Sequence, residues 1–315
     1  MYNGKTVCVI VPAYNEAKKI RETLTTIPDW VDRIITIDDK SKDTTLEEMN
    51  KLISSISKLR IIALPTNSGV GYALATGYKE SLAESFDITV VMDGDGQMDP
   101  NELDRLVEPI TLGQADMSKG NRFYSSDSFR SMPLIRVIGN VALGLLNKIG
   151  SGYWSIVDPQ NGYIAISNKT LRNLNLDKMV HGYSFQNDFL CKLRLTDARI
   201  LDVNIPARYL DEVSTLKIVP TSISILRTLS RGFLRRVFIK NFLWSFSISS
   251  LALILATVIG LISLVSGLWV VYTSRGSLTQ TAGTVTFVAL LFLSSLVLSL
   301  TWLVLDVLSE PKVRN

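Results

Sequence analysis

The sequence predicts an α/β domain, a mostly parallel sheet with helices on both faces, followed by a basic amphipathic segment and an apolar two-helix hairpin. Three observations carry this. Short β-branched runs alternate with helix-length stretches through the N-terminal part, the pattern of strands laid parallel by crossover helices. Polar and acidic residues gather directly after those runs, at the carboxyl ends of the expected strands, where such sheets bind ligands. Near the C-terminus, two long stretches hold no charged residue at all.

In order, residues 6–11 are a continuous apolar run suited to a strand buried on both faces. A helix is expected over 16–26 and a second strand over 33–37, ending in Asp38 and Asp39. Over 44–58, Leu46, Met49, Ile53 and Ile56 recur at helical spacing. A strand over 60–64, a helix over 71–85, a strand over 88–92 and a helix running from Pro100 to Ile110 complete the regular part. Beyond it come a strand over 115–119, an amphipathic helix over 134–149, a strand over 162–167, a short helix over 168–174, a helix over 184–195 and a strand over 199–203. The 134–149 helix would place Ile138, Val141, Ala142, Leu145 and Ile149 on one side.

Charge divides the chain. Residues 1–216 carry a net charge of −3, and residues 217–315 carry +7. Lys217, Arg227, Arg231, Arg235, Arg236 and Lys240 precede a charge-free stretch of 34 residues, 241–274. Arg275 separates it from a second such stretch of 30, 276–305. A membrane-spanning helix needs about 20 predominantly apolar residues, so both are long enough. The expected organisation is a catalytic-sized domain over 1–216, a basic juxtamembrane segment over 217–242 and two transmembrane helices over 243–310, with a short external loop near Arg275. Basic flanks place the domain on the cytoplasmic face and attract anionic lipid headgroups. Nucleic acid suits the cluster poorly, because it abuts a span and the remaining domain is slightly acidic. Ala256, Gly260, Ser263 and Gly267 are spaced for close helix packing, which makes a homo-oligomer plausible. No secretory signal is expected, because the apolar run at 7–11 is short and is followed by Pro12 and Asn15. Cys8 and Cys191, in apolar or helical contexts, read as reduced structural thiols.

The chemistry concentrates at 88–97, ITVVMDGDGQ, where an apolar run ends in Asp93, Asp95 and Gln97 with Gly94 and Gly96 between them. Asp and Gly are ordinary turn residues. The same pair of carboxylates at a parallel-strand end can also face a divalent cation beside a phosphate. This segment alone does not separate the two readings. There is no GxxxxGK[ST] loop, HExxH or CxxC, and the single histidine, His181, excludes any site that needs two. The GVG at 69–71 is by itself weak evidence for a dinucleotide.

Four ordered segments go further: VPAYNEAKKI at 11–20, DDKSKDTT at 38–45, NSGVGYALATG at 67–77 and DGDGQMDP at 93–100. In letters, order and spacing they resemble the nucleotide-sugar half of family-2 glycosyltransferases. The likeness continues through KGNRF at 119–123, DPQNGYIAIS at 158–167, SFQNDFL at 184–190 and IPARYLDEVSTLK at 205–217. With the basic segment and the spans, the whole chain is similar to polyprenyl-phosphate glycosyltransferases, the group that contains dolichyl-phosphate mannose synthase. The resemblance implies a GT-A fold, with its Rossmann-like sheet. It also implies inverting transfer of one sugar from a UDP- or GDP-linked donor to a dolichyl or undecaprenyl phosphate in the membrane, for glycan assembly.

It further implies roles for individual residues. Pro12, Tyr14 and Glu16, with Gly69, should line the nucleotide-sugar pocket, and Asp39 should hydrogen-bond the base. Asp95 and Gln97 should hold Mg²⁺ or Mn²⁺, and Asp93 should contact the nucleotide or complete the shell. That chemistry is sensible, since a cation neutralises the charge that develops on a diphosphate leaving group. Arg122 could fork onto a phosphate, with Arg130, Arg136, Ser214 and Lys217 as further contacts to the acceptor phosphate. Asp158 and Asp188 are the acids placed to act on the acceptor. A hydroxyl acceptor would need a general base. A lipid phosphate attacks largely as the anion, since its second ionisation lies near pH 6 by analogy with phosphorylated side chains, which leaves these two mainly positioning. Three departures stand out: Thr215 at the usual lysine place, Lys40 where relatives often have Gly, and Val70 where many have Lys. A processive polysaccharide synthase is the competing enzyme reading, disfavoured because the chain has no Arg-Trp pair. A non-catalytic nucleotide-sugar-binding membrane protein is the third, disfavoured by the intact Asp93, Asp95, Gln97 and Asp158.

Overall fold

The computed structural model describes residues 1–123, 134–206, 218–274 and 280–314. Seven strands form one sheet: β1 (Val7–Ala13), β2 (Arg33–Asp38), β3 (Leu59–Ala63), β4 (Ile88–Val91), β5 (Met117–Asn121), β6 (Ile164–Ser167) and β7 (Ile200–Asn204). Their order across the sheet is β3-β2-β1-β4-β6-β5-β7. The first four are parallel neighbours, and β5 pairs β7 in parallel. β6 alone runs antiparallel, wedged between β4 and β5. All seven residues of β1 are buried, as its unbroken apolar run requires of a central strand covered on both faces.

Alternate strand residues feed two apolar layers. Val7, Val9 and Val11 pack with Leu103, Leu106 and Val107 of α4 (Leu103–Thr111) on one face. Cys8, Ile10, Ile35 and Ile37 pack on the other with Leu74 and Tyr78 of α3 (Val70–Ala83). α3 lies close because Gly77 presents no side chain: a Cβ there would stand 2.6 Å from Ile10 Cγ2 and 2.9 Å from Ile37 Cδ1. α1 (Ile20–Thr25) and α2 (Thr45–Leu52) are shorter than expected. Turns precede the first, and Ile53, just past the second, is exposed. Both cysteines are free and buried.

α5 (Leu134–Ser151) forms as expected, and Val141, Ala142 and Leu145 of its apolar side are exposed, while Ile149 is half-buried. Val141 and Leu145 are 63% and 53% exposed, while Asn147 and Ser151 are buried. Asn147 finds an amide partner on the neighbouring helix, and Ser151 bonds within its own helix. Asn147 Nδ2 donates to Asn187 Oδ1 of α6 (Phe185–Leu195), and Ser151 Oγ donates to Asn147 O. Gly150 packs beneath Leu229 of α7 (Ile218–Phe238), where a Cβ would meet Leu229 Cδ2 at 2.8 Å.

The chain divides into two compact units, Met1–Phe233 with Pro311–Asn315, and Leu234–Glu310, the division falling inside α7. The second unit contains a π-helical turn over Ile239–Trp244, then α8 (Ile248–Ser274) and α9 (Ala282–Leu308). Both long helices are long and apolar enough to cross a membrane. The small residues of α8 are spent within the chain. Ser295 Oγ donates to Ala256 O at 2.9 Å, Ser263 Oγ to Val288 O at 3.3 Å, and a Cβ on Gly260 would stand 2.7 Å from Ser295 Oγ. At the other end of this unit, Arg236 and Asp306 form a buried ion pair. Arg275 lies outside the described residues.

Candidate active site

The parallel order β3-β2-β1-β4 brings four loops to one sheet edge. β1 delivers Pro12, Tyr14 and Glu16, the last tied to α2 by its backbone N–H donating to Thr45 Oγ1 at 2.8 Å. β2 delivers Asp38 and Asp39, both buried. The Asp39 carboxylate accepts from the Ser68 and Gly69 amides at 2.7 and 2.8 Å, so it shapes the loop that opens α3. In that loop Gly69 has φ +90°, and a Cβ on Gly71 would stand 2.1 Å from Val180 O. The GVG motif therefore serves a close backbone approach: Gly71 N–H donates to His181 O at 2.7 Å. The lone histidine contributes its carbonyl, and its ring meets Tyr72 edge-on at 5.1 Å.

β4 delivers the acidic turn. Gly96 has φ +76°, and Asp95 Oδ1 accepts from Gln97 N at 2.9 Å, which fixes the turn. Asp93, Asp95 and Gln97 line a cleft of about 110 Å³, with Asp99 and Glu102. Arg122, Gln160, Asn161 and Gly162 line the same cleft, with Met98, Tyr163 and Ile205. Gly162 lies directly on the acid: a Cβ there would be 3.2 Å from Asp93 Oδ2. Burial pushes the Asp93 carboxyl up to about 7, and the neighbouring Asp95 charge reinforces the shift, against Arg122 and Lys119. A larger, more open hollow of about 510 Å³ beside Lys79 has one acid, Asp177, already paired with that lysine, and offers no comparable chemistry.

Among the described residues, no three His, Cys, Asp or Glu side chains converge as a closed metal cage. The donor set nevertheless fits a hard cation. Asp93, Asp95 and Gln97 share one cleft with the further acids Asp99 and Glu102, and burial disfavours Asp93 as an anion until a positive charge joins it. An incomplete protein shell of this kind is typical of Mg²⁺ that completes its coordination with water and substrate phosphates.

Arg122 reaches the cleft, and its guanidinium is also forked onto Asp158, with Nε to Oδ2 at 2.8 Å and Nη2 to Oδ1 at 3.2 Å. Asp158 is buried and faces that arginine. Asp188, in the first turn of α6, accepts from Val180 N at 3.1 Å and from Lys192, and does not line the cleft. Arg130, Ser214 and Lys217 lie outside the described residues; Arg136 falls on α5, with its side chain outside them. Motif reading gave no role to Lys119, Asn161 or Asp202. Lys119 is buried in β5 and donates to Asn161 O. A lysine inside an otherwise apolar or small strand, MSKGN, was the one signal available.

A mostly parallel sheet with an acidic cleft at its carboxyl edge is the layout of an α/β enzyme. Residues 8–175, just over half the chain, match the family described as Glycosyl transferase family 2, and the chain belongs to that family. It is a glycosyltransferase of the GT-A fold. Curated relatives include the UDP-N-acetylglucosamine–dolichyl-phosphate N-acetylglucosaminyltransferase of Methanococcus voltae, 29% identical over 65% of this chain and 86% of that one. The undecaprenyl-phosphate mannosyltransferase of Micrococcus luteus is 30% identical over 63% and 82%. Among solved structures, glucosyl-3-phosphoglycerate synthase from Mycobacterium tuberculosis is 25% identical, with TM-score 0.57 over 73% of this chain and 81% of that one.

Proposed function

We propose that this enzyme transfers a single sugar, with inversion, from a nucleoside-diphosphate sugar to a polyprenyl phosphate at the cytoplasmic face of a membrane. The observation that carries the reading is the cleft that Asp93, Asp95 and Gln97 line together with Arg122. The names of the M. voltae and M. luteus relatives support the lipid-phosphate acceptor, and α8 and α9 supply a means of membrane attachment. Domain 1–216 would carry the chemistry, 217–242 would lie at the headgroups, and 243–310 would span the membrane.

In this reading Pro12, Tyr14, Glu16, Asp39 and Gly69 border the nucleotide. Asp93, Asp95 and Gln97 would hold Mg²⁺ or Mn²⁺, which supplies charge neutralisation at the diphosphate; synthase structures of the same fold contain Mn²⁺ or Mg²⁺ with UDP. Asp158 orients Arg122 toward phosphate, and Asp188 braces α6 against the 180–184 segment. Arg130, Arg136, Ser214 and Lys217 would gather the acceptor. A phosphate oxygen of the lipid attacks the anomeric carbon, the bond from that carbon to the diphosphate oxygen breaks, and the nucleoside diphosphate leaves with the electron pair. One displacement from the opposite face inverts the centre and needs no enzyme nucleophile.

Two measurements test this. Purified protein with Mn²⁺ should be thermally stabilised by UDP- or GDP-sugars, and Asp95→Asn should lower transfer to polyprenyl phosphate by about a hundredfold or more. No stabilisation by any nucleotide, or an Asp95→Asn enzyme at full rate, would overturn the reading.

A further inference from the structure

We infer that Lys119 is a positioning residue: its buried ammonium holds the Asn161 carbonyl, and with it the Asn161–Gly162 wall of the cleft against Asp93. The inference rests on the reading that the cleft takes a nucleotide donor.

No other lysine among the described residues is buried. Lys119 sits in β5, whose five residues are all inaccessible to water, and its Nζ donates to Asn161 O. Taking an ammonium out of water costs several kcal/mol, and a methionine of similar length would fill the slot without that cost. What a methionine cannot do is grip a carbonyl. The charge is held in place by acids on neighbouring elements. Asp202 of β7 is the registered partner of Lys119 across the parallel ladder. Asp158 and Asp93 also favour the ammonium, and Arg122 opposes it. Asp202 Oδ1 is buried without a hydrogen-bond partner.

The same ions secure the whole segment leading to the wall. Asp202 Oδ2 accepts from Val157 N at 2.7 Å, Arg122 forks onto Asp158, and Lys119 takes Asn161 O. The far end is tied as well. Asn161 Nδ2 donates to Gly120 O at 2.8 Å and Asn161 Oδ1 accepts from Tyr163 N at 3.0 Å. Residues 157–161 are thus gripped by ions at three points, and the next residue, Gly162, borders Asp93, where an added Cβ would stand 3.2 Å from Oδ2. A shift of a few tenths of an ångström in this wall would reach a carboxylate of the cation site. Burial draws the Lys119 ammonium down to about 8, so its grip weakens as pH rises past that value.

The test uses the full chain in detergent, with Lys119→Met, Lys119→Arg and Asp202→Asn. Asp202→Asn keeps an acceptor for Val157 N and removes only the charge. In Lys119→Met, amide hydrogen exchange over 157–163 should quicken, and the KM for the donor and the Kd for UDP with Mn²⁺ should rise about tenfold, with kcat within a few-fold. Lys119→Arg should restore both to within about threefold. It should also remove the loss of affinity expected of the native enzyme as pH rises past about 8. Asp202→Asn should give a smaller change of the same sign. Unchanged exchange and KM in Lys119→Met, or a folded Lys119→Arg no better than Lys119→Met, would overturn the inference. Because exchange needs no ligand, it decides the question even if the native protein binds neither UDP nor GDP, a result that would sink the proposed function separately. If Lys119→Met does not fold, Lys119→Arg and Asp202→Asn carry the same comparison.

Discussion

Lys40 follows Asp39 at the edge of the site with φ +60°, a left-handed conformation that costs an ordinary L-residue about 1–2 kcal/mol. That explains why this position, in a turn leading from β2, suits glycine. Lys40→Gly should raise stability by about 0.5–1 kcal/mol after the entropy that glycine itself loses, a gain of about 1–4 °C in Tm by differential scanning fluorimetry. A lower Tm would mean that the lysine side chain contributes more than the backbone costs. At this scale the sequence was informative where a residue's role follows from its place on the chain. Asp93, Asp95 and Gln97 stand at a strand end, and they line the cleft. It was silent where the role depends on a distant partner. Arg122 meets Asp158 36 positions away, and Lys119 meets Asn161 42 positions away. No local pattern encodes either pairing.

Elements were legible in kind and less so in direction and facing. Each expected strand is present, with boundaries displaced by a residue or two. The antiparallel course of β6 was not visible, because a four-residue apolar run reads the same in both directions. α5 has the amphipathic period the sequence promises, yet Val141, Leu145 and Leu146 face outward. Periodicity identifies a stripe and leaves open what the stripe meets. The glycine pair of α3 makes the opposite point: a weak motif has a firm structural cause. Gly71→Ala would force a Cβ into Val180 O and Phe185, so either the start of α3 or the 180–185 segment must move. The expected cost is about 2–4 kcal/mol, measured by denaturant unfolding, with weaker stabilisation by nucleotide. Native stability in that variant would show that the two segments separate freely.

At the scale of the molecule, a weakly acidic domain and a basic tail meet on one chain: net charges of −3 over 1–216 and +7 over 217–315. The compact units divide after Phe233, later than the charge boundary, because Ile225 and Leu229 of α7 pack with Cys191 of α6. Composition marks where the solvent changes; packing marks where a folding unit ends. Within the second unit, the buried pair between Arg236 and Asp306 joins residues 70 apart. Asp306→Ala should cost about 3–5 kcal/mol in detergent-solubilised protein. Replacing both partners, Arg236→Met with Asp306→Leu, should recover most of the loss, as judged by Tm. Equal Tm values for the single and double variants would contradict this.

The pair also makes tolerance to shortening depend on which charges leave together. A form cut before Trp302 would keep Arg236 and lose the carboxylate it pairs with in the full chain. A form cut before Leu234 would lose both. The longer fragment should therefore be the less tractable of the two to produce, so trimming this chain stepwise from its end would pass through the unmatched charge before removing both partners.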